Sequence, residues 1–244
     1  RTPLASLRGY IELITYKEGP NVSPEINKYL KQALKSSNEL GGLINNLLDV
    51  TRIERGTLTL SIDKIDLASI VSQTVIDFRF NAEDKQIALN YQGPAADAYV
   101  LADAIAVREV VNNLLANAVK YTKPAGAVTV FLAIEKESVV VRVKDTGIGI
   151  PAKALPYLFT KFYRVHGGLD SGSTGTGLGL FISKSIIERH NGSISVQSQE
   201  GVGSEFTFAL PLADDKHIAA LSKSQTDQTL VRRHRGWVTK DTTR

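Results

Sequence analysis

The first 55 residues alternate apolar and polar positions with a helical period. Residues 1–18 place Leu4, Leu7, Ile11 and Ile14 on one stripe, and Gly19-Pro20-Asn21 stops it. Ser23-Pro24 reads as an N-cap followed by proline at the first helical position. The helix it opens runs to about Arg55, with Ile26, Leu30, Ala33, Ser37, Leu40, Ile44 and Leu47 alternating four and three apart. That is a heptad seam. Two helices of this kind expose too much apolar surface to stand alone. They predict an antiparallel hairpin that joins a second copy in a four-helix bundle, or else packs on its own C-terminal domain. Gly56 closes the hairpin.

Beyond it the pattern turns mixed. A short strand at residues 58–62 precedes a helix capped by Asp66, with Leu67, Ile70, Val71, Val75 and Phe78 facing inward. A strand near residues 87–91 follows, and then a helix after Asp103. Strands at 128–134 and 139–144 are rich in β-branched residues, with a turn near Glu137. Residues 178–190 read as a helix, and 193–199 with 205–210 as a closing hairpin around Gly201 and Gly203. Strands in antiparallel succession with helices between them predict an α+β sandwich. There are no internal repeats. From about residue 213 the chain is polar, weakly periodic and basic, the signature of a disordered stretch or a short interaction tail.

Composition changes this picture in three places. A chain of 244 residues with 43% hydrophobic content can bury a core, in one medium domain plus something smaller. No apolar run approaches the ~20 residues that cross a bilayer, and no signal peptide opens the sequence. The absence of cysteine excludes a disulfide framework and thiolate metal sites. There is no methionine and the chain begins inside a helix, so it reads as a fragment. The net charge of +4 belongs to the tail. From Lys216 onward seven Lys/Arg (216, 223, 232, 233, 235, 240, 244) face only Asp227 and Asp241, which leaves the preceding part close to neutral. The folded body therefore gives no sign of a nucleic-acid surface.

The candidate chemistry begins on the helix after Asp103. Val110, Val111, Leu114, Leu115 and Ala118 form its buried stripe, while Asn113, Asn117 and Lys120 project together on another side. Two amides and an ammonium suit either a solvated polar face or a bound cation and polyphosphate. An amide carbonyl is a hard ligand for Mg²⁺, and a lysine offsets phosphate charge. Asp145-Thr-Gly-Ile-Gly149 follows a strand. By itself it describes an ordinary tight turn as well as a carboxylate that accepts from an exocyclic amine beside bare backbone. In Leu158-Phe-Thr-Lys-Phe-Tyr-Arg164, helix packing competes for Phe159 and Phe162, whereas Arg164 is better placed to reach phosphate. The Gly/Ser-rich span 165–174 suits a lid. Gly175-Thr-Gly-Leu-Gly-Leu180 then runs into a helix, leaving backbone N–H groups for phosphate. It lacks the Gly-Lys-Ser/Thr of a P-loop and does not follow a strand, as a dinucleotide fingerprint does.

Taken in order, these stretches resemble the N, G1, F and G2 boxes of sensor histidine kinases. Their ATPase type is shared with type II topoisomerases, mismatch-repair ATPases and a heat-shock chaperone. The boxes are residues 113–122, 145–149, 159–164 and 175–180, and Gly201-Val-Gly-Ser204 matches a later glycine box with Ser where Thr is commoner. The resemblance covers residues 1 to about 212. It implies a dimerisation and phosphotransfer hairpin over residues 1–57, an ATP-binding α/β sandwich over 58–213 and a basic tail over 214–244. ATP and Mg²⁺ are the implied cofactors. Asn117 would bind the metal with Asn113 close by, Lys120 and Arg164 would face phosphate, and Tyr121 would lie against the nucleotide. Asp145 would read the adenine amine beside Gly147 and Gly149. Lys161, Gly175, Thr176, Gly177, Leu178, Gly179, Leu180 and Ser204 would complete the nucleotide site, the three glycines of the G2 box letting the lid fold over the phosphates.

The hydrolysing relatives carry Glu four residues before the magnesium Asn, as a base for water. Asn113 stands there and cannot act as a carboxylate base, so transfer to protein with little free hydrolysis is expected. The hairpin resembles the family motif His-Glu-x-Arg-Thr-Pro-Leu, of which this chain holds Arg-Thr-Pro-Leu4. The phosphoacceptor His would lie three residues before Arg1, and none of His166, His190, His217 or His234 has its context. His190 reads as a helix C-terminal residue favoured by the dipole. Thr2 matches the position linked to dephosphorylation of the response regulator, the expected second partner beside a homodimer formed through residues 1–57. The resemblance implies the cytoplasmic part of a membrane-anchored sensor, its anchor outside this chain. A serine kinase of the anti-sigma type and a nucleotide-gated dimeric scaffold are the rival readings.

Overall fold

A computed structural model of the chain describes residues 2–18, 22–94, 98–165 and 175–213. The expected helix stop at Gly19-Pro20-Asn21, the lid over most of 165–174 and the basic tail lie outside the described residues. Packing divides the chain into two units, one of residues 1–59 with 156–185, the other of 60–155 with 186–244. No described helix is long and apolar enough to cross a membrane.

In the first unit, α1 (Thr2–Glu18) packs against α2 (Pro24–Glu54). Ser23 caps α2 as expected, its hydroxyl accepting from the Ile26 N–H. The seam differs from the expected one. Leu30, Leu34, Ser37, Gly41, Ile44 and Val50 are among the partly or fully buried positions of α2, and Gly41 approaches Leu4 of α1. The other half of the expected seam is left open: Ile26, Leu40 and Leu47 are 48%, 48% and 55% exposed, and Ala33 lies with them. These four stand seven residues apart. One stripe closes the hairpin and a second, in strict heptad register, remains uncovered.

In the second unit, five strands form one sheet in the order β2-β4-β5-β7-β6: β2 (Ala88–Gln92), β4 (Ala127–Glu135), β5 (Ser138–Asp145), β6 (Ser193–Gln199) and β7 (Gly203–Pro211). The antiparallel succession expected from sequence holds for β4-β5-β7-β6. It fails at β2, which pairs with β4 in parallel because the helix α4 (Ala104–Tyr121) carries the chain back across the sheet between them. Nor do residues 58–62 form the expected strand. The strand is β1 (Asp63–Asp66), set further on because it pairs with β3 (Tyr99–Ala102), a four-residue strand too short to signal itself in sequence. A short 3-10 helix at Ala152–Tyr157 is likewise unannounced by any periodicity.

Two helices cover the sheet. α3 (Leu67–Asp84) is capped by Asp66, whose carboxylate accepts from the Ala68 and Ser69 N–H groups, and it packs on β2 and α4. α4 (Ala104–Tyr121) buries Val107, Val110, Val111, Leu114, Leu115, Ala118 and Val119. The strands supply the opposing layer at period two, with Val128, Val130, Leu132, Val139, Val141, Val143, Phe206, Phe208 and Leu210 buried. The final helix, α5 (Gly179–Arg189), ends with Asn191 at φ 55° and the Gly192 N–H donating to the Ile187 carbonyl, a left-handed C-terminal cap.

His190, beyond that helix end, is 5% exposed. Its Nδ1 lies 2.8 Å from the Ile186 carbonyl and its Nε2 accepts from the Asp103 N–H at 2.9 Å. Only the neutral tautomer protonated at Nδ1 satisfies both bonds. His190 thus stands at the helix C-terminus expected from sequence, as a buried neutral imidazole whose ring turns inward to join two helices. The Asp103 carboxylate caps α4 through the Ile105 and Ala106 N–H groups and accepts from the Ser61 N–H. Burial pushes its carboxyl upward, but the donors Ala106, Ser61 and Ile105 and the nearby His190 outweigh that and hold it below its usual value.

The turn between β6 and β7 is fastened to the loop after β5. The Gly201 N–H donates to the Ile148 carbonyl at 2.7 Å, and a Cβ on Gly149, at φ 66°, would stand 1.9 Å from the Gln199 carbonyl. Gly201 also has positive φ but open space around it. Gly201→Ala is expected to cost about 1 kcal/mol of stability from backbone strain alone, and Gly149→Ala clearly more, read by urea unfolding. A second expectation concerns pH. Burial, the leading cause, lowers the pKa of His190 below its usual 6.5 against opposing contributions from Ile186 and Asp103. The unfolded chain therefore binds the proton more readily, and the stability His190 contributes is full above about pH 6.5 and lost as pH falls below it. Melting temperature should decline between pH 7.5 and 5.5 more steeply for the native chain than for His190→Gln.

Candidate functional site

The second unit holds the polar face of α4 and the loop after β5. Alternation along β5 turns Val139, Val141 and Val143 into the core, and the same register carries Asp145 inward, where it is 6% exposed. A carboxylate thus occupies the end of a hydrophobic file. Its Oδ1 accepts from the Gly147 N–H at 2.8 Å and the Ser204 N–H at 3.3 Å. Burial still raises its pKa above the usual value against these two donors. With Oδ1 committed to the backbone, Oδ2 is the oxygen left to accept from a ligand.

Gly147 is required where it stands, since a Cβ there would meet the Tyr121 carbonyl at 2.5 Å and Asp145 Oδ1 at 2.7 Å. Gly203 is equally constrained, 2.0 Å from the Asp145 carbonyl by the same measure. The Ile148 N–H donates to the Tyr121 carbonyl, so the loop is seated on the end of α4.

Ser204 does more than donate its N–H. Its hydroxyl lies 2.9 Å from that of Ser198, which in turn accepts from the Ile150 N–H and donates to the Gly203 carbonyl, each at 2.8 Å. The single proton of Ser198 is spent on Gly203, so Ser204 is the donor between the two. Ser198 was not singled out by sequence. It falls in the inward phase of β6 with Ile194 and Val196, unlike the exposed Ser193 and Ser195, and that parity is the signal that could have found it.

Asn113 and Asn117 are half-buried on α4, one turn apart, with Lys120 following. The Lys120 ammonium lies 5.2 Å from the centroid of the Tyr121 ring. Lys85, at the end of α3, was also missed by sequence. Its ammonium donates to the carbonyls of Val119 and Lys120 at 2.8 and 2.6 Å. Burial first, and then the charge of Lys120, lowers its pKa. No group of three or more His, Asp or Glu side chains suited to a metal occurs among the described residues.

The first unit holds the other two stretches. The Phe162 N–H donates to the Gly177 carbonyl at 2.9 Å, joining the aromatic stretch directly to the second glycine run. Both residues have positive φ, 62° and 68°. For Gly177 this is permissive, and a Cβ would lie 2.7 Å from the Phe162 backbone. For an aromatic residue it is strained backbone, of a kind that concentrates at functional sites. Thr176 Oγ1 accepts from the Leu178 N–H, and Leu178 is buried just ahead of Gly179 and Leu180 in α5. Lys161 pairs with Glu54 at the end of α2 and lies 5.1 Å from the centroid of the Phe181 ring. Gly175 and Arg164 are exposed. Thr2 begins α1, and the role expected of its side chain lies outside what the structure describes.

Three comparisons with known proteins bear on this arrangement. Residues 1–56 match the His Kinase A (phospho-acceptor) domain, and residues 102–214 match the histidine kinase-, DNA gyrase B-, and HSP90-like ATPase family. The sensor protein SrrB of Staphylococcus aureus strain N315 is 36% identical over 214 residues, which is 86% of this chain and 36% of SrrB. The chain thus spans about a third of the length of the curated relatives it matches. Among solved structures, full-length ShkA in complex with AMPPNP superposes with a TM-score of 0.72 at 28% identity, over 87% of this chain and 44% of that one. The Acinetobacter baumannii histidine kinase AdeS shares the fold, with a TM-score of 0.62 at 22% identity over 88% of this chain and 97% of that one. Two domain families matched in order along one chain, with sensor kinases as relatives in both sequence and structure, make this chain a member of the sensor histidine kinases, carrying the α+β architecture of their catalytic core.

Proposed function

We propose that this chain binds ATP with magnesium and, within its parent protein, transfers the γ-phosphoryl group to a histidine of the hairpin. An aspartate on a response regulator then receives it. The observation that carries this reading is the buried Asp145. A carboxylate set into a core file, fixed through one oxygen by two backbone donors and flanked by obligatory glycines, is an acceptor for the exocyclic amine of a planar base. The polar face of α4 supplies what a triphosphate needs. Asn117 would hold the magnesium through one hard amide oxygen, and no carboxylate cluster competes for it among the described residues. Asn113 stands beside it, and Lys120 and Arg164 are proposed to face phosphate. Gly149, Lys161, the 175–180 run and Ser204 are assigned to the same nucleotide site, as the family resemblance implies.

Catalysis on this reading is positioning and charge stabilisation of the transferring group. Asn113 offers an amide where a hydrolytic relative has a carboxylate base, which favours transfer over hydrolysis. We assign residues 1–57 to dimerisation and regulator docking, 58–213 to nucleotide binding and 214–244 to a tail. The uncovered register of Ile26, Ala33, Leu40 and Leu47 supports the dimer as a partner of matching heptad spacing. The membrane anchor proposed for the parent lies in sequence beyond this chain.

The decisive experiment uses ATP labelled on the terminal phosphate and a chain extended upstream by a few native residues, with the present chain as control. Acid-labile, base-stable label on the extended protein alone is the expected result. Acid-stable label would show a serine kinase, and binding without label on either chain a scaffold. Asn117→Ala should lower the transfer rate on the order of 100-fold, the usual effect of removing one charge-stabilising contact. Phosphate release without an acceptor should remain marginal, and robust release would contradict the role drawn from Asn113.

A further inference from the structure

The last turn of α4 presents a physical difficulty for the proposed site. Lys120 sits at a helix C-terminus, where the macrodipole leaves about half a negative charge and four backbone carbonyls lack intrahelical donors. That field opposes a polyphosphate. Each of the four carbonyls nevertheless has a donor. The Ala118 carbonyl takes the Thr122 N–H and hydroxyl at 3.0 and 2.7 Å, and the Tyr121 carbonyl takes the Ile148 N–H at 3.2 Å. The middle two, Val119 and Lys120, are both taken by the half-buried ammonium of Lys85 at 2.8 and 2.6 Å. Lys85 is delivered from the end of α3, thirty-five residues earlier in the chain, by a turn in which Gln86 adopts φ 57°.

We propose that Lys85 is a positioning residue for the nucleotide's phosphates: it cancels the negative end of α4 and holds the turn that carries Lys120. The inference rests on the nucleotide reading above. A neutral carboxamide, with its two N–H donors, could satisfy both carbonyls, but only a cation reverses the local field. The lowered pKa of Lys85, caused by burial and then by the Lys120 charge, is consistent with two ammonium groups brought together where anionic charge is to be received. A lysine serving only to hold α3 against α4 would not gain from this proximity.

The test separates charge from structure by varying the number of phosphates. Binding of adenosine, AMP, ADP and ATP, each with magnesium, is measured by calorimetry for the native chain, Lys85→Gln and Lys85→Arg. Lys85→Gln keeps a donor and loses the cation. It is expected to weaken ATP roughly 3- to 20-fold, as loss of a partly buried charge at a helix end does, with a smaller loss for ADP and none for adenosine. Lys85→Arg should recover most of the ATP affinity, and the difference between native chain and Gln variant should shrink at high salt. Equal loss across the series, adenosine included, would reduce Lys85 to a structural cap and overturn the proposal, as would no loss at all. A native chain that binds none of the four would instead overturn the nucleotide reading and this inference with it. The Arg variant keeps the test decisive even where the Gln variant folds poorly.

Discussion

A carboxylate on the core side of a sheet must be hydrogen-bonded, neutralised or used. Asp145 is bonded through one oxygen, and the elements around it are arranged to make that bond. Gly147 supplies a donor from a backbone path that no side chain permits, and Ser204 supplies another from the facing residue of β7. Gly203 lets β7 approach closely enough to do so. The Ser198–Ser204 hydroxyl pair then fixes β6 to the loop beyond Gly149. Truncating Asp145 would therefore strand two buried N–H groups as well as remove an acceptor, and loss of binding and loss of stability would arrive together.

What could be read from sequence was whatever repeats or punctuates. The buried stripe of α4, the Asp66 cap of α3, the Ser23-Pro24 start of α2 and the hairpin around Gly201 each rest on local chemistry, and each appears in the fold. The glycine runs were legible because bare backbone is rare enough to attract notice. Invisible features depend on partners distant in sequence. β3 is a strand only because β1 lies beside it, and β2 runs parallel because α4 intervenes. Lys85 looks like any surface lysine at a helix end until its two acceptors, thirty-four and thirty-five residues later, are seen. The place of His190 at a helix end was legible, but its burial was not, because it depends on Asp103 from a distant part of the chain.

The hairpin shows how one pattern can encode two surfaces. Residues spaced four and three apart satisfy both stripes of a helix packed on two neighbours, and sequence alone assigns all seven to a single seam. Geometry divides them. Leu30, Ser37 and Ile44 turn toward α1, while Ile26, Ala33, Leu40 and Leu47 turn away. Small residues at Ser37 and Gly41 let the inner helices draw close, with Gly41 against Leu4. The open face carries Ile26, Leu40 and Leu47, whose apolar area would govern association.

The closing of every carbonyl at the end of α4 has an entropic consequence. Helix termini ordinarily fray, and a ligand that binds there must first stop that motion. Here Thr122, Lys85 and Ile148 have already done so from three separate parts of the chain. A molecule settling against Lys120 and Tyr121 meets a surface whose disorder was removed when the domain folded. The ordering that binding still requires falls on other segments, so the remaining entropic cost of binding is set away from this helix.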